Sequence, residues 1–280
     1  MNKFILTNDP DHETLGLIKP IYEEFNKIGI KVTTGVFCKM ENDGSDLSRH
    51  CRQGETDTLE NPKYKDFLLE QKDKGHEIAF HGYSQVSNKR EKFIEGLEIY
   101  KDTFGEYPYT YVEHGGKKGH HPDSGCKKET LIWEGKNKDS DYYVEDIIKE
   151  KIKCVWAYHS LLDKNAKTIW GEHQKTGQSL KVDNPDPSPN CTSKKDYFWL
   201  KDGIQHFSRY RLFYADLITE ACELFIGYTH FGYRGYRDER GHRWEYWDDY
   251  NHHNITKNIE MFCKKNNSSP TTVKNYLENE

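Results

Sequence analysis

The residues best placed to do chemistry are two carboxylates near the start of the chain, Asp9 and Asp11, in the string Leu6-Thr7-Asn8-Asp9-Pro10-Asp11 directly after a short apolar run. Two acids at i and i+2 where a strand ends can divide labour. One binds a metal ion, and the other takes a proton from the water that the metal activates. Asn, Asp and Pro are equally the residues that tight turns use, so the string also reads as plain turn chemistry. Three histidines follow comparable runs: His81 after His76-Glu77-Ile78-Ala79-Phe80, His114 after Tyr111-Val112-Glu113, and His230 after Gly227-Tyr228-Thr229. Each alone is an ordinary polar or core residue. Taken together, Asp9, Asp11, His81, His114 and His230 place ionisable groups at four strand ends, and in parallel α/β proteins the carboxyl ends of the strands carry the chemistry.

The elements that must position them can be read from apolar periodicity and punctuation. Lys3 to Thr7 is a buried strand, Glu13 to Ile28 carries apolar residues at helical spacing and stops at Gly29, and Ile30 to Phe37 is β-branched and strand-like. This β-α-β start implies a parallel sheet with helices outside it. A polar loop spans Asn42 to Asn61. A helix over Pro62 to Lys74, capped by Asn61, leads into the strand His76 to Phe80, and a helix over Lys89 to Phe104 leads into Thr110 to Glu113. Val144 to Glu150 is a helix feeding the strand Lys153 to Tyr158. Tyr214 to Glu223 is helical, Leu224 to Thr229 is the last clear strand, Ile255 to Lys265 is an amphipathic helix, and the segment after Asn266 is a final helix or a tail. Two long polar excursions, around 117–141 and 161–195, interrupt the alternation; the second contains Asn184-Pro185-Asp186-Pro187-Ser188-Pro189, which favours neither helix nor strand. Loops of that length in a compact domain are commonly functional. Without a repeat or a convincing linker, residues 1–280 are expected to form one domain.

Composition excludes several classes. A net charge of -5 with Lys and Glu interspersed offers no basic stripe for nucleic acid. The seven cysteines are odd in number and never fall at CxxC spacing, which fits free thiols better than a disulfide framework or a zinc ribbon. No signal-peptide pattern precedes the first strand and no apolar run reaches membrane-span length, so the expected location is cytoplasmic. The apolar fraction is only 34%, yet 14% of residues are aromatic and 19 are Tyr, which rules against a disordered chain and suits a groove that stacks on sugar rings.

The motifs resemble those of the NodB-like polysaccharide deacetylases, carbohydrate esterase family four. That family has a T-F-D-D or D-x-D motif after its first strand, a G-x-E-I-x-x-H-(S/T)-x-x-H motif, and a late strand ending in His. Thr7-Asn8-Asp9-Pro10-Asp11, Gly75-His76-Glu77-Ile78 running into His81, and His230 match them in order. The resemblance implies a distorted (β/α) barrel. It also implies Asp9 as general base, Asp11 and His81 as ligands of a divalent metal, usually Zn2+, and His230 as general acid. A metal with an open coordination position lowers the pKa of a bound water to about 7 and polarises an acyl carbonyl. An acetyl amide or ester of a carbohydrate would then be hydrolysed, with a cytoplasmic glycan or sugar precursor as the expected substrate.

Two departures stand out. The second His of the family's second motif falls on Gln85, and the Arg-containing third motif is replaced by Glu113-His114-Gly115-Gly116. Either His114 supplies the missing metal ligand from the neighbouring strand, or the metal site is weakened or lost. A catalytically silent protein that binds a glycan or partner through the same rim, and a C–N hydrolase acting on a small non-sugar amide, are the alternative readings. His76 reads as structural. His12, next to Asp11, is expected to point elsewhere along an extended backbone, and His120-His121 and His252-His253 read as solvated loop residues. Tyr233, Tyr236, Trp244, Tyr246 and Trp247 either line a sugar groove or pack beneath the last helix.

Overall fold

The computed structural model describes residues 3–45, 48, 56–113, 127–156 except 132, 231 and most of 256–279, together with the backbone of four further strands. Strands β1 (Lys3–Asn8), β2 (Thr33–Val36), β3 (Glu77–Phe80), β4 (Thr110–Val112), β5 (Cys154–Trp156), β6 (Phe198–Leu200) and β7 (Leu224–Thr229) form one sheet in the order β6-β5-β4-β3-β2-β1-β7. Every pairing in it is parallel. Helices α1 (Leu15–Ile28), α2 (Pro62–Asp73), α3 (Arg90–Phe104) and α4 (Glu145–Lys151) intervene between strands, and α5 (Val273–Glu278) ends the chain.

That strand order has a physical consequence. Right-handed crossovers that step repeatedly in one direction place all their helices on one face of the sheet. The other face is shielded only if the sheet curls around it. With β7 beside β1, the sequential order is that of a distorted, open (β/α) barrel.

Alternation along the strands confirms two faces. Phe4, Leu6, Ile78, Phe80 and Tyr111 pack into the large cluster that includes Leu17, Ile21, Phe25 and Phe93 of the helices. Ile5, Ala79, Val112 and Cys154 point the other way, into a small inner cluster with Val273. The period of two therefore carries Asp9 onto the inner face after Ile5 and Thr7, and His81 onto it after Glu77 and Ala79.

The lower, N-terminal end of the inner face is plugged by α5. Thr271 N–H bonds Phe4 C=O at 2.8 Å, Val273 N–H bonds Thr33 Oγ1 at 2.9 Å, and Lys274 N–H bonds Glu77 Oε2 at 2.8 Å. Glu77 also accepts from Thr33 and Thr110 hydroxyls at 2.9 and 2.6 Å, so this buried carboxylate ties three strands and a helix start together. The chemistry is left to the opposite rim.

Gly29, at φ 77°, ends α1 as expected, and Asn61 accepts from Lys63 N–H at 3.1 Å to cap α2. Of the two readings left open for the segment after Asn266, the helix is the one found, over Val273–Glu278. Two differences from the sequence reading are instructive. β6 escapes the periodicity because it is only three residues long, with charged residues close on either side. Residues 127–131 and 133–141, the described part of the expected excursion 117–141, are a run of turns in which Lys127, Glu129, Thr130 and Leu131 are buried. The expected helix Tyr214 to Glu223 and the excursion 161–195 lie outside the described residues. No helix among the described residues is long and apolar enough to cross a membrane.

Candidate metal centre

Asp9, Asp11 and His81 come together at the carboxyl rim. One ligand atom from each lies within 4.8 Å of those of the other two, and all three residues are buried. His81 Nε2 is 3.1 Å from Asp9 Oδ1. Its other nitrogen, Nδ1, stands 2.8 Å from the carbonyl oxygen of Val112, so Nδ1 carries the proton and donates it there. With Nδ1 so engaged, Nε2 is turned toward the two carboxylates, which is how a ligating histidine is held by its outer hydrogen bond. Phe37 packs against the imidazole with ring centroids 4.7 Å apart and fixes its plane.

The donor set fits a divalent cation. An imidazole lone pair and two carboxylates converging in a buried pocket repel one another unless a proton or a cation lies among them. A nitrogen and two oxygens are ligands that zinc and similar ions accept. Asp11 and His81 are the residues that would hold the ion.

The string Asp9-Pro10-Asp11 is also a turn. Asp11 N–H bonds back to Asp9 Oδ1 at 3.3 Å, the Asx pattern, and Glu13 N–H bonds Pro10 C=O at 2.9 Å. Turn chemistry and site chemistry therefore coexist in the same residues. His12 is not on an extended backbone, contrary to the reasoning from alternation: its φ is 57°, a left-handed conformation that non-Gly residues rarely adopt. The turn is tied to the 56–57 segment, with His12 N–H to Thr56 Oγ1 at 3.1 Å and Asp57 N–H to Glu13 C=O at 2.6 Å. Asp57 in turn accepts from Leu15 N–H at 2.7 Å, the first residue of α1, where a carboxylate complements the helix dipole.

Gly35 on β2 leaves room for this arrangement. A Cβ there would stand 2.9 Å from Pro10 Cδ and 3.4 Å from Cβ and Cγ of His81.

Gln85, at the position of the family's second histidine, has a different task. Its Oε1 accepts from Glu41 N–H at 3.2 Å and its Nε2 donates to Glu41 C=O, clamping that backbone from both sides. The loop from His81 to Asn88 is held from below by a buried ion pair, Lys127 to Glu129 at 2.8 Å. Lys127 also donates to Ser84 C=O at 2.6 Å, and Glu129 accepts from Asn88 N–H at 3.0 Å. Burial pushes the Glu129 carboxyl upward, and Lys127 opposes that.

Sequence reasoning missed Asn8 and Glu13. Glu13 is fully buried and sits behind the turn; burial is the main reason its carboxyl is pushed up to about 8, with nearby Asp9 and Asp57 adding to the effect against hydrogen bonds from Asn8 and Tyr64. Asn8 Nδ2 donates to Glu13 Oε2, and Tyr64 Oη donates to Glu13 Oε1 at 2.8 Å. Nothing local marks Glu13, which reads in the sequence as the first residue of the helix. His114 and His230, the expected third ligand and general acid, lie outside the described residues, as do both His pairs. Of the aromatic cluster, Tyr236 and Trp244 are register partners in a short antiparallel ribbon, β8 (Tyr236–Arg237) with β9 (Arg243–Trp244).

No protein-family model and no curated protein matches the chain. Among solved structures, a family 4 acetyl xylan esterase from Clostridium thermocellum, in complex with a cobalt ion, aligns at 16% identity over 40% of this chain with a TM-score of 0.28. The chain spans 48% of that enzyme's length. The catalytic domain of a peptidoglycan N-acetylglucosamine deacetylase from Eubacterium rectale aligns at 8% identity over 97% of this chain and 89% of its own, with a TM-score of 0.45. A Puue allantoinase aligns at 12% identity over 98% and 87%, with a TM-score of 0.49. These likenesses are of fold alone.

Proposed function

We propose that the protein is a metal-dependent hydrolase that removes acetyl groups from a carbohydrate. The observation that carries this reading is the buried Asp9–Asp11–His81 cluster at the carboxyl rim, with His81 in the ligating tautomer. Asp11 and His81 would hold a divalent ion, which we take to be zinc, with His114 as a third ligand. Bound there, the ion would supply Lewis acidity toward the acyl carbonyl and make a neighbouring water more acidic.

The chain's own groups do the rest. Asp9, buried beside His81, accepts the proton of the attacking water as its oxygen bonds to the acyl carbon. His230 gives a proton to the leaving nitrogen or oxygen as the bond from that atom to the acyl carbon breaks, its electron pair staying with the departing atom. The products are acetate and a free amine or hydroxyl. The wealth of Tyr and Trp supports a sugar as the group that carries the acetyl. We place the reaction in cytoplasmic glycan or sugar-precursor metabolism; Cys38 and Cys263, free thiols among the described residues, fit a reducing compartment.

The test is acetate release from a panel of N- and O-acetylated sugars by zinc-loaded protein. At least one sugar should release acetate, and Asp9→Asn should lower the rate by roughly 10²–10⁴-fold. A protein that holds zinc yet releases no acetate from any acetylated sugar would overturn the reading.

A further inference from the structure

The carboxamide of Asn8 joins two parts of the rim that are 223 residues apart in sequence. Its Oδ1 accepts from the backbone N–H of Phe231 at 2.9 Å, while its Nδ2 donates to Glu13 Oε2. Only one orientation of the amide satisfies both, because an N–H requires an acceptor and the carboxyl oxygen takes a donor. Asn8 is 2% exposed, so its two bonds form away from water, where losing either leaves a polar group without its partner.

Both ends of this bridge are anchored. Glu13 is fully buried and accepts a second hydrogen bond from Tyr64 Oη at 2.8 Å. Phe231 is also fully buried, and its ring meets those of Tyr22 and Phe25 with centroids 6.2 and 5.7 Å apart. The peptide N–H that Asn8 grips belongs to the bond joining His230 to Phe231. The residue that follows Asn8 is Asp9.

We infer that Asn8 is a positioning residue for the hydrolysis: one side chain, covalently next to Asp9, holds the backbone N–H of Phe231, the residue that follows His230 in the sequence. This rests on the reading of His230 as the general acid given above. A positioning role of this kind has a signature that loss of general stability lacks. Protonation by the acid matters for a poor leaving group, an amine or sugar alkoxide, and matters little for 4-nitrophenolate, which departs without a proton.

The experiment compares zinc-loaded wild type, Asn8→Ala and His230→Ala on an acetylated sugar that the wild type cleaves and on 4-nitrophenyl acetate. Asn8→Ala is expected to lower kcat on the sugar by roughly 10–100-fold, with KM within about twofold, zinc content unchanged and 4-nitrophenyl acetate cleavage within about threefold of wild type. Because Asn8→Ala can disturb folding, the double variant Asn8→Asp/Glu13→Gln provides a second arm. In it the donor and acceptor of the buried pair are exchanged: the new carboxamide at position 13 donates, and the new carboxylate at position 8 still accepts from Phe231 N–H. The selective defect should then be largely repaired relative to Asn8→Asp alone. Equal losses on both substrates, loss of zinc in Asn8→Ala, or no repair in the double variant would each overturn the inference. If His230→Ala shows the selective loss and Asn8→Ala does not, the inference alone falls. If His230→Ala itself loses both activities equally, the acid assignment falls and takes the inference with it.

Discussion

His81 donates through Nδ1 to the Val112 carbonyl at 2.8 Å and faces Asp9 Oδ1 through Nε2 at 3.1 Å. The first bond comes from the neighbouring strand, since β3 pairs with β4. Sheet pairing itself therefore sets the tautomer, with no extra side chain needed to orient the ring. Nε2 is left facing two buried carboxylates, an arrangement that a proton or a cation among them resolves.

Metal binding should therefore appear as stability. A ligand that binds only the folded chain, at a thousand times its Kd, stabilises by about 4 kcal/mol, which for a chain of this size raises the melting temperature by roughly 8 °C or more. Zinc added to stripped protein should give such a rise. Asp11→Asn and His81→Ala should abolish it. Gln85→Ala is the control, because that amide holds the backbone of Glu41: this variant should melt lower but keep the zinc-dependent rise. Differential scanning fluorimetry with and without zinc, backed by elemental analysis, checks all four proteins, and an undiminished rise in Asp11→Asn would contradict the ligand assignment.

Gly35→Ala should damage the site more than the fold. The added methyl would stand 2.9 Å from Pro10 Cδ, closer than nonbonded carbons tolerate, and 3.4 Å from two carbons of His81. The Pro10 ring must yield, and with it the carboxylates on either side. Overpacking of this kind costs about 1–3 kcal/mol, while displaced ligands should weaken zinc binding by roughly tenfold or more. Gly16→Ala, where an added Cβ meets nothing within 4 Å, should leave zinc affinity unchanged. Competition with a zinc-binding dye measures both, and equal affinity in Gly35→Ala and wild type would remove Gly35 from the account.

The contrast between these residues shows what the sequence could reveal. Strands β1 and β3 are read easily because a strand buried on both faces is a near-continuous apolar run, and the acid or histidine that ends such a run is conspicuous. Asn61 and Gly29 announce helix ends by chemistry that acts within a few residues. Gln85, Glu13 and the Lys127–Glu129 pair act across 41 to 51 residues, and nothing in their local strings separates a buried carboxylate from a solvated one. His12 shows a different failure. The alternation rule is sound, but the backbone has already left the strand and turned left-handed there.

His76 should make the protein acid-sensitive. Its Nδ1 accepts from Val32 N–H at 3.2 Å, and its Nε2 bonds Asn26 Oδ1 at 3.1 Å, a pattern that requires the neutral ring. Burial, then the positive charges of Lys31 and Lys74, push its pKa down to about 3 from 6.5. Below pH 6.5 the unfolded chain takes up a proton that the folded chain refuses, so stability falls as pH drops from 6.5 toward 3, by at most about 1.4 kcal/mol per pH unit. Above pH 6.5 the residue contributes no pH dependence. The buried carboxyls of Glu77 and Glu129, raised by desolvation, act in the opposite direction: the folded chain holds their protons longer, and their contribution declines as pH rises through the range above the ordinary carboxylate value. Comparing wild type with His76→Asn, which retains an acceptor for Val32 N–H and cannot charge, cancels those terms. Between pH 7 and pH 5, urea unfolding should show wild type losing about 2 kcal/mol more than the variant; equal losses would mean that His76 protonates in place.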